Sequence, residues 1–204
     1  MKSVLISIQP YWVFLIIAQK MGWDIPQNKT AEIRKTYPKE NSWNKKVIIY
    51  CTQDKKSFNR IPKEYQELMR PLLGKAIGEF VCDYIAEISK RGHVFVATIE
   101  TPSLGCRIST QIEFPCRACM GMSYDELSKY SNNKIIYEWN ISNLKIYDKP
   151  KELYEFEKPC PYDKECWKCK YHYDGSFYEP PCCNWEDFEI SRPPQSWCYV
   201  DETN

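Results

Sequence analysis

Short apolar runs rich in isoleucine and valine recur along this chain, each closed by polar, glycine or proline residues. Runs of this length and composition are typical of β-strands, because β-branched side chains pack well on a pleated sheet. We therefore predict strands over 4–8, 47–51, 76–88, 93–100, 138–147 and 197–200, with a further extended segment over 31–36.

Shorter stretches predict helices between these strands. Pro10 suits a first helical turn, so the apolar residues 12–17 are expected to form a helix that packs on the core. A second helix is predicted over 62–69 and a third over 123–130, and 150–156 is a turn or short helix. Ser123 followed three residues later by Glu126 is the pattern of a capping box. The whole pattern predicts an α+β fold, a small mixed β-barrel with short flanking helices.

The length of 204 residues suits one domain with elaborations better than two domains. We therefore treat 1–204 as a single domain. The stretch over about 157–190 differs from the rest, because it has no hydrophobic periodicity and is crowded with Cys, Pro, Tyr and Asp. We predict it to be an insertion that needs a metal ion for its order.

The net charge is +1, which gives no general reason for tight non-specific DNA binding. The charge is unevenly distributed, however. Residues 28–75 carry 12 Lys and Arg against 5 Asp and Glu, or +7, and residues 148–204 carry 7 against 13, or −6. The basic segment fits either an anionic ligand or a solvated surface, and the sequence leaves both open.

The first residues do not have the pattern of a secretion signal. Gln9, Pro10 and Gln19 interrupt the apolar beginning, and the apolar run 11–18 is too short to span a bilayer. We expect a cytoplasmic protein with no membrane association. The Lys-, Ile- and Tyr-rich composition is similar to that of low-GC bacteria and their phages, so we expect a bacterial host cell if the chain comes from a phage. Its 11 cysteines are then expected to be reduced or to bind metal.

The cysteines near the C-terminus have the spacing of a zinc site. Cys166 and Cys169 form a CxxC knuckle that brings two thiolates to one ion, and four thiolates complete a tetrahedral, structural zinc site. The remaining ligands are predicted among Cys160, Cys182 and Cys183, with His172 as a substitute. The alternative is a set of free cysteines in a loop.

A second CxxC is less complete. Cys116 and Cys119 follow Cys106, and His93 is the one candidate for a fourth ligand, so a second metal site and free thiols both stay open. Three other cysteines lie in apolar strand contexts and are expected to be buried small residues; they are Cys51, Cys82 and Cys198.

Lys29, Glu32 and Arg34 form a charged group with a readable chemistry. On an extended segment Glu32 and Arg34 point to the same face, and Lys29 needs a turn to join them. A guanidinium fork and an ammonium suit phosphate or a base edge, while a carboxylate can orient the arginine or accept from an amino group. The alternative is a surface salt-bridge cluster worth about 0–1 kcal/mol per pair.

These residues and several other segments resemble the ASCH family of the PUA-like group. The segment 27–34 is similar to the ASCH signature G-x-K-x-x-E-x-R, with Lys29, Glu32 and Arg34 at its charged positions. Gln27 replaces the signature glycine, and the segment 21–27 looks inserted. Further segments resemble a phage and prophage branch, in the order SIQPYW at 7–12, GKAIGEF at 74–80, WNISNL at 139–144 and RPPQSW at 192–197.

The resemblance implies a β-barrel with a basic cleft beside the signature and a ligand that is RNA, a nucleotide or a modified nucleoside. Some relatives look like amidohydrolases that act on N4-acylated cytidine with a catalytic Lys, Thr and Glu. Lys29 fits the lysine, Thr30 is the nearest threonine and Glu79 is the natural strand carboxylate. A lysine acts as base or nucleophile only if its pKa is depressed.

Other candidate ligand contacts surround the signature. Trp12, Trp23 and Trp43 could stack a base, with Trp23 in the inserted loop as a lid or as a half-buried loop anchor. Further candidates for the cleft are Lys35, Tyr50, Thr52, Gln195 and Ser196.

Three functions therefore stay open. The first is a binding module for RNA, a nucleotide or a modified nucleoside, which would modulate host RNA or nucleotide signalling in a phage setting. The second is the amidohydrolase, and the third is a zinc-containing module that binds a host protein. The sequence does not decide the oligomeric state.

Overall fold

The computed structural model describes residues 2–38, 44–101, 106–112, 120–159 and 188–202. These residues form a mixed α+β fold with few helices, in which two sheets curl into a half-barrel. The predicted α+β class is confirmed. No helix among the described residues is long and apolar enough to cross a membrane.

The strands number eleven over the described residues. They are β1 Ser3–Ile8, β2 Ala31–Arg34, β3 Lys45–Cys51, β4 Lys75–Cys82, β5 Ile85–Arg91, β6 Val94–Thr101, β7 Cys106–Ile112, β8 Ile136–Asn140, β9 Ser142–Lys151, β10 Phe156–Glu157 and β11 Trp197–Glu202. The helices described are α1 Pro10–Ile17, α2 Lys55–Phe58, α3 Lys63–Met69 and α4 Tyr124–Ser131, with 3-10 turns at Arg70–Leu72 and Leu153–Glu155.

The first sheet has the order β10-β11-β1-β3-β4-β9. Strands β1 and β3 are parallel, and the other neighbours are antiparallel. Every residue of β1 is buried, because apolar groups cover both faces of the sheet. One face, with Ile6 and Ile49, belongs to the core between the sheets; the other, with Leu5 and Ile48, belongs to an outer core around Phe156.

The second sheet has the order β2-β8-β5-β6-β7 and is antiparallel throughout. One side of it packs on α4 through Ile33, Ile136 and Leu127. From its other side the fully buried Trp139 enters the core between the sheets. Since β2 is the edge strand of this sheet, the signature residues lie where the two sheets meet.

Two long strands predicted from the sequence are each broken in the structure. The predicted strand 76–88 is two strands, β4 and β5, and the predicted strand 138–147 is β8 and β9. In both cases the chain leaves one sheet and enters the other. The two corners lie side by side, since the Asn140 N–H donates to the Tyr84 carbonyl over 3.2 Å. Neither corner contains the glycine or proline that commonly closes a strand, so a strand-like pattern continues through both.

The capping box predicted for α4 is confirmed. The Glu126 N–H donates to the Ser123 hydroxyl over 3.3 Å, and the Ser123 N–H donates to the Glu126 carboxylate over 2.9 Å. The helix ends at Asn132, whose φ of 48° is the left-handed conformation that asparagine tolerates. Helix α2, capped by the Asp54 side chain, and strand β7 were not predicted.

Candidate ligand-binding site

The three charged signature residues converge in the structure. The Lys29 Nζ lies 3.3 Å from Glu32 Oε2, and the Arg34 Nη2 lies 3.1 Å from Glu32 Oε1. Their side chains are only 2%, 12% and 6% exposed for Lys29, Arg34 and Glu32. We call these three residues the charged triad. It is a buried cluster, so the surface salt-bridge alternative does not describe it.

Each cation of the triad also binds a backbone carbonyl. The Lys29 Nζ donates to the Met120 carbonyl over 2.7 Å, and the Arg34 Nη2 donates to the Ser7 carbonyl. Ser7 lies where β11 begins, one residue beyond the last pair of Ile6 with Trp197. Arg34 therefore links the edge strand of the second sheet to the end of β1 in the first sheet.

The triad contacts a half-buried aromatic ring. The Lys29 Nζ lies 5.3 Å from the centroid of the Trp12 ring, and the Arg60 guanidinium lies 4.9 Å from the same ring. A Cβ on Gly121 would lie 3.3 Å from Trp12 Cζ3 and 3.6 Å from Lys29 Cδ. Glycine, with its φ of +71°, therefore lets the segment that carries the Met120 carbonyl approach Lys29.

Burial dominates the electrostatics of this site. It lowers the pKa of Lys29 below the ordinary 10.5, and the charge of Glu32 opposes that shift only in part. Burial also raises the pKa of Glu138, against the effect of the Lys29 charge. Glu138 is thus a second carboxylate that interacts electrostatically with Lys29.

The sequence analysis did not assign Glu138 to the site. In β8 it pairs with Ile33 of β2 and shares a face with the buried Ile136. The one signal in the sequence that could have pointed to Glu138 is that this carboxylate lies on the apolar face of a strand. It could be read only once β8 was known to pair with the strand that carries the signature.

Several buried polar atoms around the triad have no hydrogen-bond partner among the described residues. Near the triad these atoms are Asn28 Oδ1, Arg34 Nε and Trp139 Nε1; Glu32 Oε2 makes no well-aligned hydrogen bond either, but it is ion-paired with the Lys29 Nζ at 3.3 Å. Glu32 and Trp139 are cross-strand partners, so these atoms belong to one small region. An unpaired buried polar group costs about 1–3 kcal/mol, so this concentration is unfavourable unless something meets it.

Glu79 and Thr30, the other members of the predicted catalytic set, lie elsewhere. The Glu79 carboxylate accepts from Tyr147 over 2.8 Å and pairs with Lys46 over 3.0 Å. Its cross-strand partner Ile48 belongs to the outer core, so Glu79 lies on the face of the first sheet that is turned away from the triad. Thr30 is exposed, and its carbonyl accepts from the Ile141 N–H. The structure does not bring Lys29, Thr30 and Glu79 together.

The electrostatic environment of Glu79 also differs from that of the triad. Burial acts to raise the pKa of Glu79, but the hydrogen bonds from Lys46 and Tyr147 outweigh it, so the pKa is lowered. A carboxylate held in its charged form by two donors is a salt-bridge partner. It has neither the position nor the raised pKa of an acid that serves Lys29.

Three other predicted ligand contacts, Trp23, Tyr50 and Thr52, lie in different surroundings. Trp23 stacks on Phe14 with ring centroids 5.6 Å apart and on Tyr65 at 5.4 Å, which makes it an anchor of its loop. Tyr50 is buried in the outer core, where burial raises the pKa of its hydroxyl. The Thr52 N–H donates to the Ile8 carbonyl, and its hydroxyl is buried.

Two of the predicted ligand contacts, Ser196 and Lys35, lie next to the triad or next to Ser7, whose carbonyl accepts from Arg34. The Ser196 carbonyl accepts from the Ser7 N–H over 2.9 Å, next to the carbonyl that binds Arg34, whereas Gln195 is exposed. The exposed Lys35 follows the triad, with its Nζ 5.0 Å from the centroid of the Tyr130 ring.

Six of the 12 Lys and Arg of residues 28–75 are paired with carboxylates among the described residues. Besides the triad, the pairs are Lys46 with Glu79, Arg60 with Glu126, Arg70 with Glu67 and Lys75 with Glu152. The exposed Lys55, Lys56 and Lys63 lie on α2 and α3. For the paired cations the geometry favours the solvated-surface alternative over a continuous basic face.

The predicted zinc ligands lie outside the described residues. This applies to Cys160, Cys166, Cys169, Cys182 and Cys183, and equally to His172, Cys116, Cys119 and Trp43. Within the described ranges no group of three or more His, Cys, Asp or Glu is arranged to hold a metal ion. Cys51 and Cys82 are buried as predicted, and burial raises the pKa of each thiol to about 12; Cys198 is half-buried.

The lowered pKa of Lys29 predicts how stability depends on pH. In the unfolded chain Lys29 titrates near 10.5, but in the folded protein it loses its proton at lower pH. Between these two values the unfolded state binds more protons, so the burial penalty of Lys29 shrinks as pH rises. We expect the stability of the wild type relative to Lys29→Met to rise between pH 7 and pH 10.5, measured by urea denaturation.

Lys55→Met provides the matched control for this titration, because Lys55 is an exposed lysine on α2. Its stability relative to the wild type should not change over the same pH range. A difference between wild type and Lys29→Met that stays flat would contradict the lowered pKa.

Two comparisons of the sequence with known proteins found no relative. No family model matches the sequence, and no curated protein matches it at a significant level. The likeness to ASCH domains rests on the signature and the ordered segments described above.

Proposed function

We propose that this chain is an ASCH-type, PUA-like β-barrel protein that binds RNA, a nucleotide or a modified nucleoside at the charged triad. The observation that carries the proposal is the burial of Lys29, Glu32 and Arg34 together, beside polar atoms without partners among the described residues. Hydrogen-bonding groups of a ligand would meet those atoms, and the half-buried Trp12 ring would stack on a base.

A purely structural role explains this arrangement less well. Buried ion pairs contribute little to stability, because the cost of removing charges from water offsets their attraction. Apolar residues of similar size would join the two sheets at least as well. A cluster that combines two cations, a carboxylate and unused donors and acceptors is better suited to recognising a polar molecule.

Thermal denaturation with a panel of nucleotides, nucleosides and short RNAs tests the proposal. We expect one class of ligand to raise the melting temperature by several degrees. A ligand at a concentration of roughly 100 times its Kd adds about 2.7 kcal/mol to the free energy of unfolding. Arg34→Ala should abolish that rise, while Arg70→Ala, which alters only an exposed pair with Glu67, should preserve it. A panel that leaves the melting temperature unchanged throughout would contradict the proposal.

The lowered pKa of Lys29 supports a second candidate, the amidohydrolase. A neutral amine at Lys29 can take a proton from a water molecule whose oxygen adds to the acyl carbon of N4-acetylcytidine. The C–N bond then breaks, the acetyl group leaves as acetate, and the cytidine amino group receives the proton. Glu32, at 3.3 Å, is the carboxylate in contact with Lys29, and Glu138 interacts with it electrostatically, so this version does not use Glu79.

Turnover of N4-acetylcytidine separates this candidate from simple binding. Lys29→Ala should remove the activity, whereas Glu79→Gln should retain it, because Glu79 lies with Lys46 and Tyr147 on the other face of the sheet. Binding without release of acetate would leave the binding module as the function.

We also propose a structural zinc ion, held by thiolates of Cys160, Cys166, Cys169 and either Cys182 or Cys183. The support is the spacing of these residues in the sequence. Native mass spectrometry of the purified chain would count the zinc and detect any nucleotide that copurifies. A metal-free spectrum of folded protein would contradict the zinc site.

A further inference from the structure

We infer that the charged triad recognises the uncharged edge of a nucleobase and leaves any phosphate of the ligand outside the buried site. This inference rests on the proposed function and narrows its ligand. It follows from three observations: the charge balance of the site, the kinds of atoms that lack partners, and the position of the aromatic ring.

The charged groups of the triad already satisfy one another. Lys29 and Arg34 share the Glu32 carboxylate at 3.3 Å and 3.1 Å, and Glu138, on the other face of β8 beside Ile33, adds the field of a second carboxylate at Lys29. The Lys29 and Arg34 head groups are also engaged by the Met120 and Ser7 carbonyls. A phosphate would have to displace Glu32 from its two cations and would leave that carboxylate buried beside a second anion.

The unpartnered atoms call for both donors and acceptors. Arg34 Nε and Trp139 Nε1 can only donate, whereas Asn28 Oδ1 is an acceptor, and Glu32 Oε2, already ion-paired with Lys29 at 3.3 Å, can accept a further hydrogen bond. Trp139 is 1% exposed and Glu32 is 5% exposed, so bulk solvent does not reach these groups. A phosphate offers acceptors and could meet only the two donors. A nucleobase edge presents amino donors beside ring-nitrogen or carbonyl acceptors and could meet all four.

The aromatic ring completes a site of this kind. Trp12 is half-buried and packs on both the core between the sheets and the core under α4. The buried Lys29 lies 5.3 Å from the centroid of this ring, and the partly exposed Arg60 lies 4.9 Å from it. A planar base that packs against Trp12 would therefore lie within reach of Lys29, with the partly exposed Arg60 available to its sugar or phosphate.

Calorimetric titration of the full chain tests the inference. The probes are the four ribonucleosides, their 5′-monophosphates and inorganic phosphate, each at low and high salt. We expect one nucleoside to bind, its monophosphate to bind within about threefold of it, and inorganic phosphate not to bind. The affinity should vary little with salt, because the inference has no phosphate neutralised in the buried site. Each neutralised phosphate would add a slope of about −0.7 to the plot of log affinity against log salt concentration, as for single strands.

The outcomes separate this inference from the proposed function. A monophosphate that binds more than tenfold tighter than its nucleoside, with strong salt dependence, would overturn the inference and leave the proposed function standing. Failure of every nucleoside, nucleotide and short RNA to bind would overturn both.

A carboxylate variant provides an independent check. Glu32→Gln removes one negative charge while keeping the size of the side chain. It should weaken nucleoside binding at least tenfold and strengthen the relative binding of the monophosphate. Glu67→Gln, an exposed control paired with Arg70, should change neither. Equal nucleoside affinity in Glu32→Gln and the wild type would show that Glu32 does not read the base.

Discussion

Replacing Glu32 with leucine is expected to destabilise the protein by about 3–5 kcal/mol. Glu32 is buried and contacts both Lys29 and Arg34 through different carboxylate oxygens. Leucine has a similar volume, so packing is largely kept while two cations lose their common partner. An uncompensated buried charge is among the few single changes that cost this much.

Urea denaturation of wild type, Glu32→Leu and Glu67→Ala measures this effect. Glu67 forms an exposed pair with Arg70, and removing it should leave the unfolding midpoint unchanged. A loss for Glu32→Leu below about 1 kcal/mol would mean that the triad behaves like a solvated surface pair. The triad would then not be a buried polar site for a ligand.

The sequence was sufficient for those parts of the fold that depend on local pattern. The strands β1 and β3, the helix after Pro10 and the capping box of α4 follow from residue type and spacing within a few positions. The convergence of Glu32 and Arg34 also follows from the period of two in an extended strand. Each of these features is decided by neighbours in the chain.

Features that depend on pairing between distant segments could not be predicted. The corners after Cys82 and at Ile141 interrupt strand-like segments at points where neither glycine nor proline marks a break. The position of Glu79 could not be predicted for the same reason. Its side of the sheet is fixed by its register with Ile48 in β3, which no pattern within β4 determines. Glu138 comes near Lys29 for the same kind of reason, because the pairing of β8 with β2 places it beside Ile33, on the face opposite Glu32 and Arg34.

The energetic argument separates a structural role for the triad from a functional one. If the triad existed to hold the two sheets together, any replacement of it should weaken the fold. If it exists to bind a ligand, an apolar replacement of all three residues should be tolerated, because the desolvation cost of three charges disappears with them. Only the simultaneous replacement distinguishes the two, since each single change leaves charges behind.

We therefore expect the triple variant Lys29→Met, Glu32→Leu, Arg34→Met to recover at least half of the stability lost in Glu32→Leu. Full recovery is opposed by the Met120 and Ser7 carbonyls, which lose their donors at a cost of about 1–3 kcal/mol each. The same variant should give no shift in melting temperature with the ligand that stabilises the wild type, because every charged contact is gone. If the triple variant is instead as unstable as Glu32→Leu, the triad is a structural link between the sheets. In that case the unpaired donors and acceptors beside it are a cost of the fold, and the binding site must be sought elsewhere.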